Sequence, residues 1–356
     1  MRLAFISLLT VFTLAAGFGY YDGMLRGTLT EGLTPLAAAT GGVFSLGYEP
    51  AMGAVTNPAA LQLAEGARLE AGLSPGSWEC AHIYPFPVKD RKTTGLYLGG
   101  LSAGFVGPLS GGWSLGAGAA KVSDYRMTAN IVEYEDEQYK TTAVKMVESH
   151  GGLYEISAGA GYRATLWLSL GLSAGVRLGS GSWEESIENY VSDTTIVQDV
   201  SWTASEPCFR AGAIAREGRV TGGAVFSSGS ERMPSGLAFG TRVSFHVLAD
   251  GELGVEYQMQ PAFTDSLVSI RAFMAVEDLY PGVRSFYSLT CRQERGQHSS
   301  TMGGSFGLDI PLGRAGLIAS VGWNGADRRN SLFGDYYISR IETTYTTVSL
   351  GIRADL

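Results

Sequence analysis

The chain has 356 residues, a formal net charge of −8 and a pI near 5.1, a balance that argues against nucleic acid as its partner. Its 49 glycines would suit a disordered chain, but 45% hydrophobic and 11% aromatic residues contradict disorder. Only 17% of residues are charged, against about a quarter in an average soluble domain.

The first residues, MRLAFISLLTVFTLAAG, place Arg2 before an apolar run from Leu3 to Leu14 and a small-residue exit at Ala15 and Gly17. That order predicts a secretory signal peptide over residues 1–17 and an exported chain. No later run is long and apolar enough for a helical span. Cys80, Cys208 and Cys291 are too scattered for a disulfide framework or a metal site.

Residues 18–66 show no strand pattern and are rich in glycine and alanine. Two short helix starts stand out: Thr34-Pro35 before alanines, and Asn57-Pro58-Ala59-Ala60-Leu61, each a capping residue followed by proline.

From residue 67 on, the chain alternates with period two. Candidate strands fall near 67–74, 78–86, 93–107, 112–128, 151–164, 166–183, 200–216, 219–228, 236–248, 252–260, 266–277, 283–294, 301–312, 315–325 and 343–356. Tyr154, Ile156, Ala158, Leu170, Leu172 and Leu178 lie on one face of a long hairpin; Glu155, Ser157, Gly171, Ser173 and Arg177 lie on the other. Single-chain bacterial barrels need an even number of strands, so one of the first two candidates is surplus and the count is fourteen. Very short turns near 164, 217, 250 and 313 contrast with long connections at about 130–150, 184–200 and 324–343. The expected fold is all-β: a transmembrane antiparallel β-barrel of about 14 strands over 67–356, whose last strand ends at Leu356, surrounded by outer-membrane lipid. A barrel that wide encloses more space than its own side chains fill, so residues 18–66 are expected as an N-terminal plug in the lumen.

The polar face supplies the candidate lumen-lining residues Arg163, Arg177, Arg210, Arg242, Glu256, Arg271, Asp309 and Arg353, together with Glu155 and Asp355. Trp78, Trp113, Trp183, Trp202 and Trp323 near strand ends are expected as interface girdles. Pro207, Pro261 and Pro311 are the positions where a ladder is expected to break or end. No catalytic constellation is legible: of four histidines, His246 lies two residues from Ser244 on one strand, with no nucleophile motif around them. The acidic run at 133–139 lacks the spacing of a calcium loop, and no cofactor or metal is expected.

The stretch GGVFSLGYEPAMGAVTNPAAL resembles the amino-terminal signature of the FadL-type outer-membrane transporters and the related PorV/PorQ-like barrels, through Gly41, Gly42, Phe44, Glu49, Ala51, Asn57, Pro58, Ala59 and Leu61. It departs from the usual Asp-Asp or Asp-Pro by reading Tyr48-Glu49-Pro50. The resemblance implies that this segment is a hatch inside the barrel. It also implies uptake of hydrophobic small molecules, such as long-chain fatty acids, with lateral exit at a strand kink. The alternative it leaves open is a non-conducting barrel that serves as partner to a surface or secretion protein.

Overall fold

The computed structural model describes residues 28–29, 34–83, 91–125, 132–135, 140–233, 235–246, 250–261, 266–277, 282–294, 299–331 and 338–356. The expected signal peptide (1–17) and positions 136–139 of the acidic run lie outside the described residues.

Fourteen antiparallel strands close into one ring, each paired with the next in sequence and the last with the first. They are β1 (Arg68–Ile83), β2 (Arg91–Pro108), β3 (Trp113–Asp124), β4 (Thr141–Arg163), β5 (Leu168–Asn189), β6 (Thr194–Glu217) and β7 (Val220–Ser227). The ring continues through β8 (Gly236–His246), β9 (Asp250–Pro261), β10 (Ser266–Glu277), β11 (Arg284–Glu294), β12 (Ser299–Leu312), β13 (Ala315–Ser331) and β14 (Ile338–Asp355). Closure of the ring is set by Asp355 opposite Arg68, with Arg68 Nε 2.6 Å from the Asp355 carboxylate. Two short strands, Thr28–Leu29 on β3 and Val132–Glu135 on β4, are additions to the ring.

The two faces of the wall differ as a lipid face and an inner face must. Leu170, Leu172 (67% exposed), Phe209, Phe239, Leu253, Phe306, Val321 and Ile352 (65% exposed) all present their side chains outward. An apolar surface of that extent is stable against lipid and not against water. On the inner face Arg177, Glu155, Glu256 and Arg271 are buried. A buried charge survives only when paired, and each of these four has its partner (below).

The first two expected strands, 67–74 and 78–86, are a single strand, β1, and this removes the surplus member. The split came from Pro75-Gly76. At Ser74/Pro75 the register to β2 shifts, and pairing to β14 is missing between Leu350↔Leu73 and Thr347↔Gly76. Proline lacks the N–H that a ladder needs, so at mid-wall β1 loses its pairing to β14 and shifts register against β2, to which it stays paired. Pro261 and Pro311 lie at or near strand ends, while Pro207 lies within β6.

The connections expected over 130–150 and 184–200 are largely strand. β4 begins at Thr141, and β5 and β6 meet in a four-residue turn, 190–193. There Asn189 Oδ1 accepts from the N–H groups of Val191 (2.9 Å) and Ser192 (3.1 Å), and Asp193 takes a positive φ of 50°. Lipid-against-lumen alternation ends at the membrane boundary because both faces of a projecting hairpin meet water; residues 191–200 are all exposed. Likewise β13 extends to Ser331 and β14 starts at Ile338.

Since residues 191–200 contribute nothing to the interior, replacing 187–196 by a two-residue turn is expected to leave the barrel intact. Its thermal midpoint in detergent should move by less than about 3 °C.

Candidate functional site

The segment 34–64 folds on itself through the residues of its signature. Thr34 caps the helix α1 (Pro35–Ala39), accepting from Ala37 N at 3.0 Å. Gly41 and Gly42 end it with φ of 72° and 85°, a left-handed pair that side chains disfavour, as Gly42 N donates to Ala37 O at 2.6 Å. Glu49 returns to the start of this helix: its carboxyl accepts from Leu36 N at 3.1 Å and from the Thr34 hydroxyl. Asn57 starts a second turn, the 3₁₀ helix Pro58–Leu63, accepting from Ala59 N at 3.1 Å. The Asn57 amide also donates to Ser45 O at 2.6 Å, which closes the segment on itself. Ala51, Asn57, Ala59 and Leu61 have no exposed surface.

The wall receives this segment with charge, hydroxyls and glycine. Glu256 on β9 accepts from the backbone N–H groups of Phe44 (2.9 Å) and Ser45 (2.6 Å) and from the Ser45 hydroxyl (2.6 Å). Arg271 on β10 lies 3.2 Å from the same carboxylate and 5.6 Å from the centre of the Phe44 ring. One glutamate thus carries a charged pair and three bonds to the segment, of a kind worth about 1.5–3 kcal/mol each. Tyr48 donates to Glu252 at 2.7 Å, and Arg242 lies 4.5 Å above the Tyr48 ring while binding Glu252 at 3.1 Å. Arg284 closes this cluster, 2.6 Å from Glu252. Ser320, Ser305 and Thr290 donate to the carbonyls of Pro35, Ala39 and Gly41. On the far side Gln62 donates to Gly161 O at 2.8 Å. The inner-wall glycines explain themselves here: a Cβ on Gly171 would overlap the Pro58 carbonyl, and one on Gly212 the Asn57 side chain.

The remaining lumen candidates divide. Arg177 and Arg210 both bind Glu155, Arg177 Nε at 3.2 Å, with Arg177 also donating to Ser228 O at 3.0 Å; none of the three touches the segment through a hydrogen bond among the described residues. Arg353 lies 2.8 Å from Asp309 near the short-turn rim. Arg163 is exposed at the end of β4, apart from both groups. His246 and Asp250 form an exposed pair at 2.7 Å on that rim. The girdle expectation fits Trp113, 47% exposed and 4.7 Å from Tyr162, and Trp323, 49% exposed, while the Trp78 side chain is outside the described set. It is overturned for Trp183 and Trp202, which turn inward. Their parity gives the reason: Trp183 shares the face of Arg177, and Trp202 that of Arg210. Glu252, Arg284 and Gln62 were not singled out in the sequence, and Tyr48 only as a departure from the signature; parity alone would have placed Glu252 on the face of Glu256.

The segment meets the wall through several apolar clusters, among them one around Leu36, Phe286 and Ile318, one around Val43, Leu46 and Phe273, and a larger one around Met52 and Val55. Met52 and Val55 of the segment pack with Ala120, Val122 and Leu153 of the wall and with Tyr125 and Met233, and Phe44, Trp202 and Ala204 join its edge. Tyr125 meets Trp202 edge-on at 4.5 Å, and the Arg232 guanidinium lies 4.7 Å above Trp202. A small crevice of about 30 Å³ runs beside Gly41 and Gly42 and is lined on the wall by Thr290, Ser305, Asn324 and Thr347.

No protein-family model matches the chain, and no curated protein matches it. Among solved structures, the toluene transporter TodX of Pseudomonas putida superposes with a TM-score of 0.66 at 12% identity, over 92% of this chain and 99% of that one. This chain has the fold of the FadL-type channels. The toluene transporter TbuX of Ralstonia pickettii (TM-score 0.53, 13% identity) and the monoaromatic hydrocarbon channel CymD (0.51, 10%) each match over 92% of this chain and 99% of their own. The resemblance drawn from residues 41–61 therefore holds at the level of the fold.

Burial, followed by the negative charge of Glu70, pushes the Glu49 carboxyl up from its ordinary 4.5 to about 8. A carboxyl whose folded pKa lies above its unfolded value holds its proton longer when folded. Its contribution is complete below about pH 4.5 and is lost as pH rises through about 8. Protection of residues 35–61 from proteinase K should fall by about tenfold or more between pH 5 and pH 9, and Glu49→Gln should flatten that dependence.

Proposed function

We propose that the chain is an outer-membrane barrel that takes up uncharged hydrophobic small molecules, with residues 34–64 as the hatch in its lumen. The observation that carries this reading is the apolar cluster of Phe44, Met52, Val55, Val122, Tyr125, Leu153, Trp202 and Met233, set between the segment and the wall. These side chains pack against one another while the segment is in place, and become an apolar surface for an uncharged small molecule when it moves aside. The names of TodX, TbuX and CymD, channels for toluene and other monoaromatic hydrocarbons, support the same class.

Fatty acids are the weaker candidates. A carboxylate needs a cation; Arg177, Arg210, Arg242 and Arg271 are each bound to a glutamate already, and Arg232, the cation at the edge of the cluster, lies against the Trp202 ring. An uncharged molecule needs none. Release would follow β1 at Ser74–Pro75, where pairing to β14 lapses and the register to β2 shifts. In this reading the hatch moves by leaving Glu256 and Glu252, whose arginine partners Arg271 and Arg242 stay on the wall.

The test is uptake of toluene and of palmitate by cells carrying the chain, compared with cells carrying Met233→Asp, which places a charge in the cluster from a loop outside the barrel ladder. Toluene uptake by the wild type and a loss of about tenfold or more in the variant are expected, since a lost apolar contact together with a buried charge costs at least about 1.4 kcal/mol. Uptake of palmitate alone would shift the ligand class, and uptake of neither would remove the transport reading.

A further inference from the structure

We propose that the projecting edge of β6, Thr194–Glu206, is a docking edge for an extended, basic segment of another polypeptide. The proposal stands apart from transport and holds whether or not the lumen carries a ligand.

The edge is open by topology. β6 pairs with β7 only from Arg210↔Ser227 to Glu217↔Val220, followed by one bond from Ser228 N to Phe209 O at 2.9 Å. On the other side β6 pairs with β5 along its whole length, from Thr194↔Asn189 to Ala215↔Leu168. Residues 194–208 therefore have a paired strand on one side only among the described residues, the loop at 232–233 reaching Trp202 from the lumen face. Exposed edges of that length are normally blunted by lysine, by proline or by a covering element. This one carries Pro207 at its membrane-proximal end, a residue without an N–H to offer, and neither lysine nor proline beyond it.

The chemistry of the edge specifies the occupant. Residues 178–209 contain Glu184, Glu185, Glu188, Asp193, Asp199 and Glu206 and no lysine, arginine or histidine. On the outward face three carboxylates stand directly opposite one another across adjacent strands: Glu148 on β4, Glu184 on β5 and Asp199 on β6. Like charges so placed destabilise a sheet, and the histidine His150, 3.1 Å from Glu148, reaches only the far end of the row. Two residues outward from Asp199 on the same face, Val197 is 55% exposed. A strand added beside β6 completes this pattern if it places a lysine or arginine opposite Asp199 and an apolar residue opposite Val197. Main-chain bonds then supply affinity and the alternation supplies specificity, as in other additions of a peptide strand to a sheet edge. A second copy of this chain is the wrong occupant, because its own edge at 194–206 carries Asp199 and no lysine or arginine to set against it.

The test uses the full barrel in lipid nanodiscs and a labelled octapeptide of alternating lysine and valine. Two control peptides replace lysine by glutamate or N-methylate alternate amides, which keeps the charge and removes the strand bonds. The octapeptide should bind at least about tenfold more tightly than either control and protect the amides of residues 194–206 from hydrogen exchange, and Glu184→Lys with Asp199→Lys should weaken it by about tenfold or more. Equal binding of the N-methylated peptide would reduce the effect to charge alone and overturn the proposal. So would indifference to the two substitutions, absence of binding, or a second barrel seated on the edge in native mass spectrometry.

Discussion

The arrangement of the interior depends on the Glu256 carboxylate. It is fully buried, and burial of a charge is tolerable only when every oxygen is engaged. Arg271 satisfies one side; the other is satisfied only by the backbone of Phe44 and Ser45 and by the Ser45 hydroxyl. The wall therefore needs the segment as much as the segment needs the wall. Glu252 with Tyr48 repeats the device four residues away on the same strand, and Glu49 and Asn57 give the segment a fixed shape to present.

How much of this could be read in the sequence follows from where each residue has its partner. The barrel was legible because lipid and lumen impose opposite demands on alternate residues, as Leu170 and Leu172 against Gly171 and Ser173 show. Beyond the lipid that contrast ends, which is why the projecting parts of β4, β5 and β6 read as loops. Pro75 made one strand read as two. The capping residues Thr34 and Asn57 were legible because their partners are local. The anchors were not: Glu256 and Ser45 are 211 positions apart, and nothing in either neighbourhood names the other.

Two regions of different character result. At membrane depth the structure is dense, with glycines such as Gly171 and Gly212 admitting the backbone of the segment to contact with the wall. Above it, the cluster around Trp202 is held by apolar packing, and the projecting hairpin is paired within itself but leaves one edge and residues 191–200 exposed. A proposed route for hydrophobic molecules and a proposed edge for a partner strand both lie at this end, on opposite faces of the same three strands: Leu153, Trp183 and Trp202 face inward, and Glu148, Glu184 and Asp199 outward.

The measurement that tests the central claim most directly is ion conductance across a planar bilayer for the intact barrel and for Glu256→Ala. If the segment is a hatch held by this carboxylate, the intact barrel is silent and the variant shows openings, because the ring of fourteen strands encloses a water-wide space once the segment is released. Equal conductance in both, whether open or silent, would contradict the account.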